Sequence, residues 1–165
     1  HAKYTMSDLM TGQEAATPDD EYVSFSVNHQ LSQLVVKIDN RSGKTVSGVT
    51  LSSVYTTVKC SAEGVSPVGV KGAVQACPVQ IDNSQCWALV IAPQTVKSDL
   101  IITPSDGQQI TYTMQEGIDL RPGYRSTATA VIEKGPQIVG FTATVNDWNS
   151  GRDFNFVFVS ETDVK

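Results

Sequence analysis

The stretch VSFSVNHQLSQLVVKI, residues 23–38, decides the fold. Val23, Phe25, Val27, His29 and Leu31 fall on alternate positions of a first run. Leu34, Val36 and Ile38 fall on alternate positions of a second run, in the opposite phase. A strand repeats every two residues, so each run presents one apolar face. A strand cannot exchange its buried face without a bulge, bend or tight turn. The phase change therefore predicts two core strands joined by a kink at residues 30–33. Nothing in the stretch suggests an active site.

Downstream, the turn residues DNRSGK at 39–44 suit a tight connection, with Gly43 at its centre. Residues 46–58 are rich in β-branched side chains and read as strand, broken near Ser52 and Ser53. Gly64, Pro67, Gly69 and Gly72 punctuate residues 61–72, which read as a loop or an irregular edge. A weak strand over 73–81 leads to a turn at Asp82, Asn83 and Ser84. The run CWALVIA, residues 86–92, is continuously apolar and of strand length, as expected of a central strand buried on both sides. Pro93 ends it. Residues 100–103 and 109–114 flank the turn residues 104–107 and read as a hairpin. LRPG at 120–123 is a further turn. Residues 124–132 and 138–145 read as strands, followed by turn residues 147–151 and a last strand over 153–159. No segment of ten residues keeps a helical period. Eight to ten short strands, with turn signals every 8–12 residues or so, predict an all-β sandwich of two sheets. Residues 1–21 lack clear periodicity and form a lead-in or linker; Met6, Leu9 and Met10 have helix-like spacing in a run too short to nucleate a helix, and dock against the core. Residues 22–165 form the β-sandwich domain.

The 165 residues suffice for one domain with a real core. A formal net charge of -5, with Lys and Arg scattered singly, argues against nucleic acid as a partner. No apolar run approaches the ~20 residues of a membrane helix. The first residue is His1 rather than Met, as in a processed form or a fragment, so the lack of a signal segment carries no information on location. Cys60, Cys77 and Cys86 form no CxxC pair, and with two histidines in the chain a zinc site is not expected. The simpler reading is small buried residues with or without a free thiol. The alternative is one bridge in an exported protein, Cys77 to Cys86 being one such pairing.

Chemistry-bearing patterns are sparse. His29 is the one internal base for a Ser-His-Asp arrangement, it shares a face with Phe25 and Val27, and no GxSxG elbow is present. Asp147, Asn149 and Asp153 lack the Gly and Glu spacing of a calcium loop and read as turn residues. Asp19, Asp20 and Glu21 read as a solvated loop. Asn40-Arg41-Ser42 has the N-glycosylation spacing, which matters only in a eukaryotic secretory protein. No catalytic, metal or cofactor site is therefore expected, and the chain reads as a non-enzyme. The last strand, DFNFVFV, is different: Phe154, Phe156 and Phe158 alternate with Asn155, Val157 and Val159. One reading is an edge strand over the chain's own core. The other is a strand that adds to a neighbouring subunit's sheet, with the three Phe as subunit contacts. Left bare, such a strand aggregates.

These pieces resemble a known family. Phe25, His29, Leu31 and Leu34 reproduce its F-x-x-x-H-x-L-x-x-L opening. Val49-Thr50-Leu51, Ala92-Pro93-Gln94, Pro122-Gly123-Tyr124 and the closing Val145-x-x-Trp148-x-x-Gly151 follow in the family's order. The chain resembles, over residues 7–151, the fimbrillin-like (Mfa-like) surface proteins of Bacteroidota. The resemblance implies a transthyretin-like, Greek-key β-sandwich and a fimbrial (pilus) subunit or adhesin component at the cell surface. It also implies other fimbrial subunits as partners, with host or bacterial surface ligands beside them, and outer-membrane attachment through a lipid anchor on the precursor. Family members commonly have two lobes and a lipidated cysteine near the start. Here one lobe is present and no cysteine lies near the start. Residues 6–11 resemble the linker into a second lobe, as expected of a C-terminal lobe or a short member. No arginine-flanked N-terminal strand for proteolytic maturation is identifiable. The rival reading is a carbohydrate- or ligand-binding β-sandwich module, with Tyr22, Tyr55, Tyr112 and Trp148 as its aromatic platform.

Overall fold

The computed structural model describes residues 9–13, 15, 17, 27–133, 138–147 and 155–159. None of these is helical, so among them no helix is long and apolar enough to cross a membrane. The strands are β1 (Met10–Thr11), β2 (Asn28–His29), β3 (Ser32–Asn40), β4 (Val46–Val54), β5 (Thr57–Ser61), β6 (Gly64–Val68), β7 (Gly72–Gln75) and β8 (Cys77–Ile81). They continue as β9 (Ser84–Ile91), β10 (Gln94–Val96), β11 (Asp99–Pro104), β12 (Ile110–Thr113), β13 (Ile118–Leu120), β14 (Tyr124–Ile132), β15 (Ile138–Asp147) and β16 (Asn155–Val159). One sheet runs β16-β15-β14-β3-β9-β8 and the other β12-β11-β4-β7; β1-β2, β5-β6 and β10-β13 form separate two-stranded ladders. The protein is a β-sandwich, as its strand spacing predicts.

β3 shows why the opening stretch governs the fold. Its even-numbered residues Leu34 and Val36 are fully buried in the core between the sheets, with Ile38 packed against them. β9 supplies Trp87, Leu89 and Ile91 to the same core, and β4 supplies Val49, Leu51 and Val54. On the opposite face, Val35 forms a second buried cluster with Cys86 and Ala88 of β9. This explains the unbroken apolar run of residues 86–92, every one of which is buried. β3 is antiparallel to β9 and parallel to β14. Residues 30–31 do form the predicted break between β2 and β3. The first run differs from expectation, since Val27 is 56% exposed and β2 pairs with β1 rather than joining a main sheet. Val23 and Phe25 lie outside the described residues.

Four further differences have local causes. Residues 61–68, expected as loop or irregular edge, instead form the turn and second strand of a hairpin, β5-β6, because Gly64 at φ 122° follows directly on its tight turn and Pro67 sits in a ladder with one neighbour among the described residues. The break predicted at Ser52 and Ser53 is a one-residue bulge against β7, while β4 continues to Val54. The weak strand over 73–81 is two strands in different sheets, the chain passing from one layer to the other at Ala76. Residues 94–96 and 118–120, which carry no strong period, pair with each other as β10 and β13. The turn at Asp82 and Asn83 holds as predicted. Both residues have positive φ, 51° and 60°, which is the two-residue hairpin geometry that Asp and Asn tolerate.

Cys60 is exposed, Cys77 and Cys86 are buried, and none is disulfide-bonded. Cys77 stands opposite Ala88 and Cys86 opposite Val79, so the two are diagonal neighbours across the ladder. Diagonal positions are about 7–8 Å apart, beyond the ~4 Å between Cβ atoms that a disulfide needs. The pairing of Cys77 with Cys86 is thus disfavoured by register.

The kink after β2 is tied down from across the molecule. Gly123 N–H donates to Leu31 O at 2.9 Å, and Ser32 Oγ donates to Arg121 O at 2.7 Å. Gly123 has φ +74°, and a Cβ there would lie 3.1 Å from His29 O. The His-x-Leu and Pro-Gly-Tyr segments, distant in sequence, thus form one knot. Gly123→Ala is expected to lower stability by about 1–2 kcal/mol, because an L residue in the left-handed region carries that cost. The urea midpoint measures it, and an unchanged midpoint would show that the turn relaxes freely.

Candidate functional site

The sheet region that ends in the last strand begins with β14. Its alternation YRSTATAVI places Ser126, Ala128, Ala130 and Ile132 inward, all buried, while Arg125, Thr127, Thr129 and Val131 are half-exposed. The small inward residues let the other sheet approach closely. β15 pairs with β14 along its whole length, with one irregularity at Val131 and Ile132. β15 contributes Phe141 and Ala143 to the core. The Phe141 ring stacks on Tyr112 of β12, with centroids 5.1 Å apart and planes 26° from parallel. This contact closes the sandwich where β12 edges one sheet and β15 nears the edge of the other. Burial pushes the Tyr112 phenol above its usual range.

β16 is the edge strand itself. It is antiparallel to β15, with Asn155 opposite Thr144, Phe156 opposite Ala143, Val157 opposite Thr142, Phe158 opposite Phe141 and Val159 opposite Gly140. The register thus sets Phe156 and Phe158 opposite Ala143 and Phe141, both buried. Phe154 lies outside the described residues. Among the described residues β16 has β15 as its one strand neighbour. What such an edge can offer is main-chain hydrogen bonding to an extended segment, with alternate residues setting specificity.

The other sequence candidates are dispersed. His29 sits in the β1-β2 ladder opposite Met10. Asp147 ends β15, while Asn149, Asp153, Asp19, Asp20 and Glu21 lie outside the described residues. Among the described residues no group of three His, Cys, Asp or Glu side chains could hold a metal. Asn40 is occupied locally: its Oδ1 accepts from Ser42 N–H at 3.1 Å and Oγ–H at 2.6 Å, and its Nδ2 donates to Lys44 O. Of the aromatic platform, Tyr22 and Trp148 lie outside the described residues. Tyr55 carries Lys71 Nζ 5.1 Å from its ring centre, and Tyr112 is engaged with Phe141.

Gln94 is a residue whose role the sequence hides. Its Oε1 accepts from Tyr55 N–H at 2.8 Å, and its Nε2 donates to Tyr55 O at 2.9 Å and Ala92 O at 3.0 Å. One side chain therefore serves as a strand neighbour at the point where β4 gives way to β5. Gln94→Ala is expected to cost about 1–3 kcal/mol, since half-buried backbone groups lose their partners. Thermal unfolding measures it, and Gln94→Glu separates the lost donor from the lost acceptor. No such effect would show that water replaces the amide.

The sequence profile of the fimbrillin-like family matches residues 1–148. No protein of curated function matches the chain. Among solved structures, the chain is similar to a candidate cell-adhesion protein from Bacteroides uniformis, with 19% identity and a TM-score of 0.65 over 86% of this chain and 60% of that one. It is also similar to a candidate cell-adhesion protein from Bacteroides ovatus, with 18% identity and a TM-score of 0.58 over 76% of this chain and 48% of that one. At these identities the likeness is one of fold. The chain spans about half to three-fifths of the length of these two structures. With the profile match covering residues 1–148 of 165, the chain belongs to the fimbrillin-like family.

Proposed function

We propose that the chain is a structural subunit of a surface fimbrium, joined to its neighbours by β-strand addition, with no catalytic role. The observation that carries this reading is β16: a strand beyond the family match, held at a sheet edge by a single ladder among the described residues. A strand held on one side only is the element that can be exchanged between copies at least cost. Phe156 and Phe158 stand at alternate positions in it, and with Phe154 they are the proposed subunit contacts. The two structural likenesses, both to candidate cell-adhesion proteins, agree with a place at the cell surface. Attachment to an outer membrane through a lipid anchor on the precursor, and surface ligands as further partners, belong to the same proposal. The test is assembly of the full chain against a chain lacking residues 153–165, followed by light scattering and electron microscopy. Polymers from the full chain alone support the proposal; equal polymerisation of both removes it.

A further inference from the structure

At one end of the sandwich the inward face of the six-stranded sheet changes character. On β3 the inward row runs Leu34, Val36, Ile38 and then Asn40; on β9 it runs Leu89, Trp87 and then Gln85. Val36 stands opposite Trp87, and the next step on the same face sets Ile38 level with Gln85. Side chains of one face recur every second residue, so both core rows end on an amide. An amide in such a row needs a polar partner or an opening to water. Here there is an opening. A cleft of about 280 Å³ lies at this end, with buried Trp87 and half-buried Ile38 and Val46 as its apolar floor. Exposed Lys44, Thr45 and Gln85 form its polar rim. Its size is at the lower end of the ~300–1,000 Å³ of small-ligand sites, which suits one ring better than a long molecule.

The wall of the cleft is built, not loose. Asn40 holds the turn after β3, its Oδ1 accepting from Ser42 and its Nδ2 donating to Lys44 O. Arg41 N–H donates to Ile132 O of β14, and Ser105 N–H, just past β11, donates to Thr45 O, each at 2.8 Å. The turn is thus fastened to both layers. Ion pairs from Arg41 to Glu133 at 2.8 Å and from Lys44 to Asp106 at 2.5 Å add to this. A preformed wall spares a ligand the cost of ordering it.

The polar groups left over set the chemistry. The side chains of Gln85 and Thr45 have no hydrogen-bond partner among the described residues, and each offers a donor and an acceptor. The Trp87 indole N–H likewise has none there, and it is not sealed from solvent. Lys44 Nζ has donors beyond the one spent on Asp106. Among the described residues no carboxylate lines the cleft, so a cation finds no counter-charge in it. The ligand that fits has an apolar ring face for the floor and oxygens around its edge for the rim. A sugar ring has this make-up.

We propose that this cleft is a glycan-binding site for one sugar ring, with Gln85 and Thr45 bonding its hydroxyls and Trp87 supporting the ring. It is a different place from the platform of Tyr22, Tyr55, Tyr112 and Trp148, none of which lines it. The inference goes beyond the fimbrial reading and does not depend on it: β16 is three strands away from β3, and failure of either leaves the other standing.

The test is saturation-transfer NMR of the full chain with glucose, galactose, N-acetylglucosamine and N-acetylneuraminic acid, each at millimolar concentration. Transfer to at least one of them is expected, whatever the state of assembly, because the signal is read on the sugar. Gln85→Leu with Thr45→Val is expected to weaken that binding at least about tenfold, since the hydrogen bonds of two side chains are lost. Both residues are exposed, so the variant keeps its fold, which circular dichroism checks. In a Trp148→Phe chain Trp87 is the one remaining indole, and its emission is expected to shift along the same binding curve. Transfer to none of the sugars overturns the proposal. Transfer that the double variant leaves unchanged, or Trp87 emission that stays unmoved while a sugar binds, overturns it equally.

Discussion

Removal of residues 153–165 is expected to abolish polymer formation while leaving a folded sandwich. Among the described residues the strand lost, β16, lies at the end of its sheet and pairs with β15 alone, so the other described ladders keep their pairings. Leu34, Val36, Val49, Leu51, Leu89, Leu100 and Ile102 fill the core from β3, β4, β9 and β11, all outside the deleted segment. The effect on association is large because strand addition works through a row of backbone hydrogen bonds. At about 1 kcal/mol net for each bond, losing several weakens subunit contact by orders of magnitude. A milder variant, Phe156→Ser with Phe158→Ser, leaves the backbone able to pair and tests the side-chain contribution separately. Light scattering at matched concentration gives the answer. Undiminished polymerisation of the truncated chain would move the subunit contact elsewhere on the molecule.

Leu34→Ala is expected to cost about 2–5 kcal/mol, the range for emptying a fully buried leucine position. Leu34 is 0% exposed in the middle of the sandwich, on a strand paired along both edges. Its surroundings are held by two ladders and collapse poorly onto the cavity, which favours the upper part of that range. A domain of this kind is stable by about 5–15 kcal/mol, so the melting point falls on the order of 10 °C. Lys37→Ala on the same strand is the control. Lys37 is exposed, and its loss is expected to stay within about 0.5 kcal/mol. Similar urea midpoints for the two variants would mean that the even positions of β3 do not form the core.

Particular residues show how far the fold was legible. The alternation of 124–132 matches β14 residue for residue, because one of its faces meets the core and the other is half-exposed. The continuous run 86–92 is legible for the opposite reason, since both of its faces are covered. The hairpin β5-β6 is not legible: it projects from the sheets, and exposed Thr57, Lys59 and Ser66 leave little contrast between its faces. β10 and β13 are three residues each and are held to one another across more than twenty positions of sequence. A strand that short has no period of its own. Of the site, the Phe alternation was visible in the sequence. The setting of Phe156 and Phe158 against Ala143 and Phe141 depends on register, which a hairpin's composition does not fix.

The sequence by itself determined that this chain is a two-layered β protein, that Leu34, Val36 and residues 86–92 lie in its core, and where most of its turns fall. These follow from local quantities: the two-residue period, β-branching, and the backbone limits of Gly, Pro, Asp and Asn. The tertiary structure decided which strands are neighbours. It set β3 parallel to β14, passed the chain between sheets at Ala76, placed Gln94 beside Tyr55 and tied Gly123 to the bend after His29. Such contacts join residues far apart in the chain, and their free energy comes from burial shared by both partners, so neither segment carries a sign of it alone.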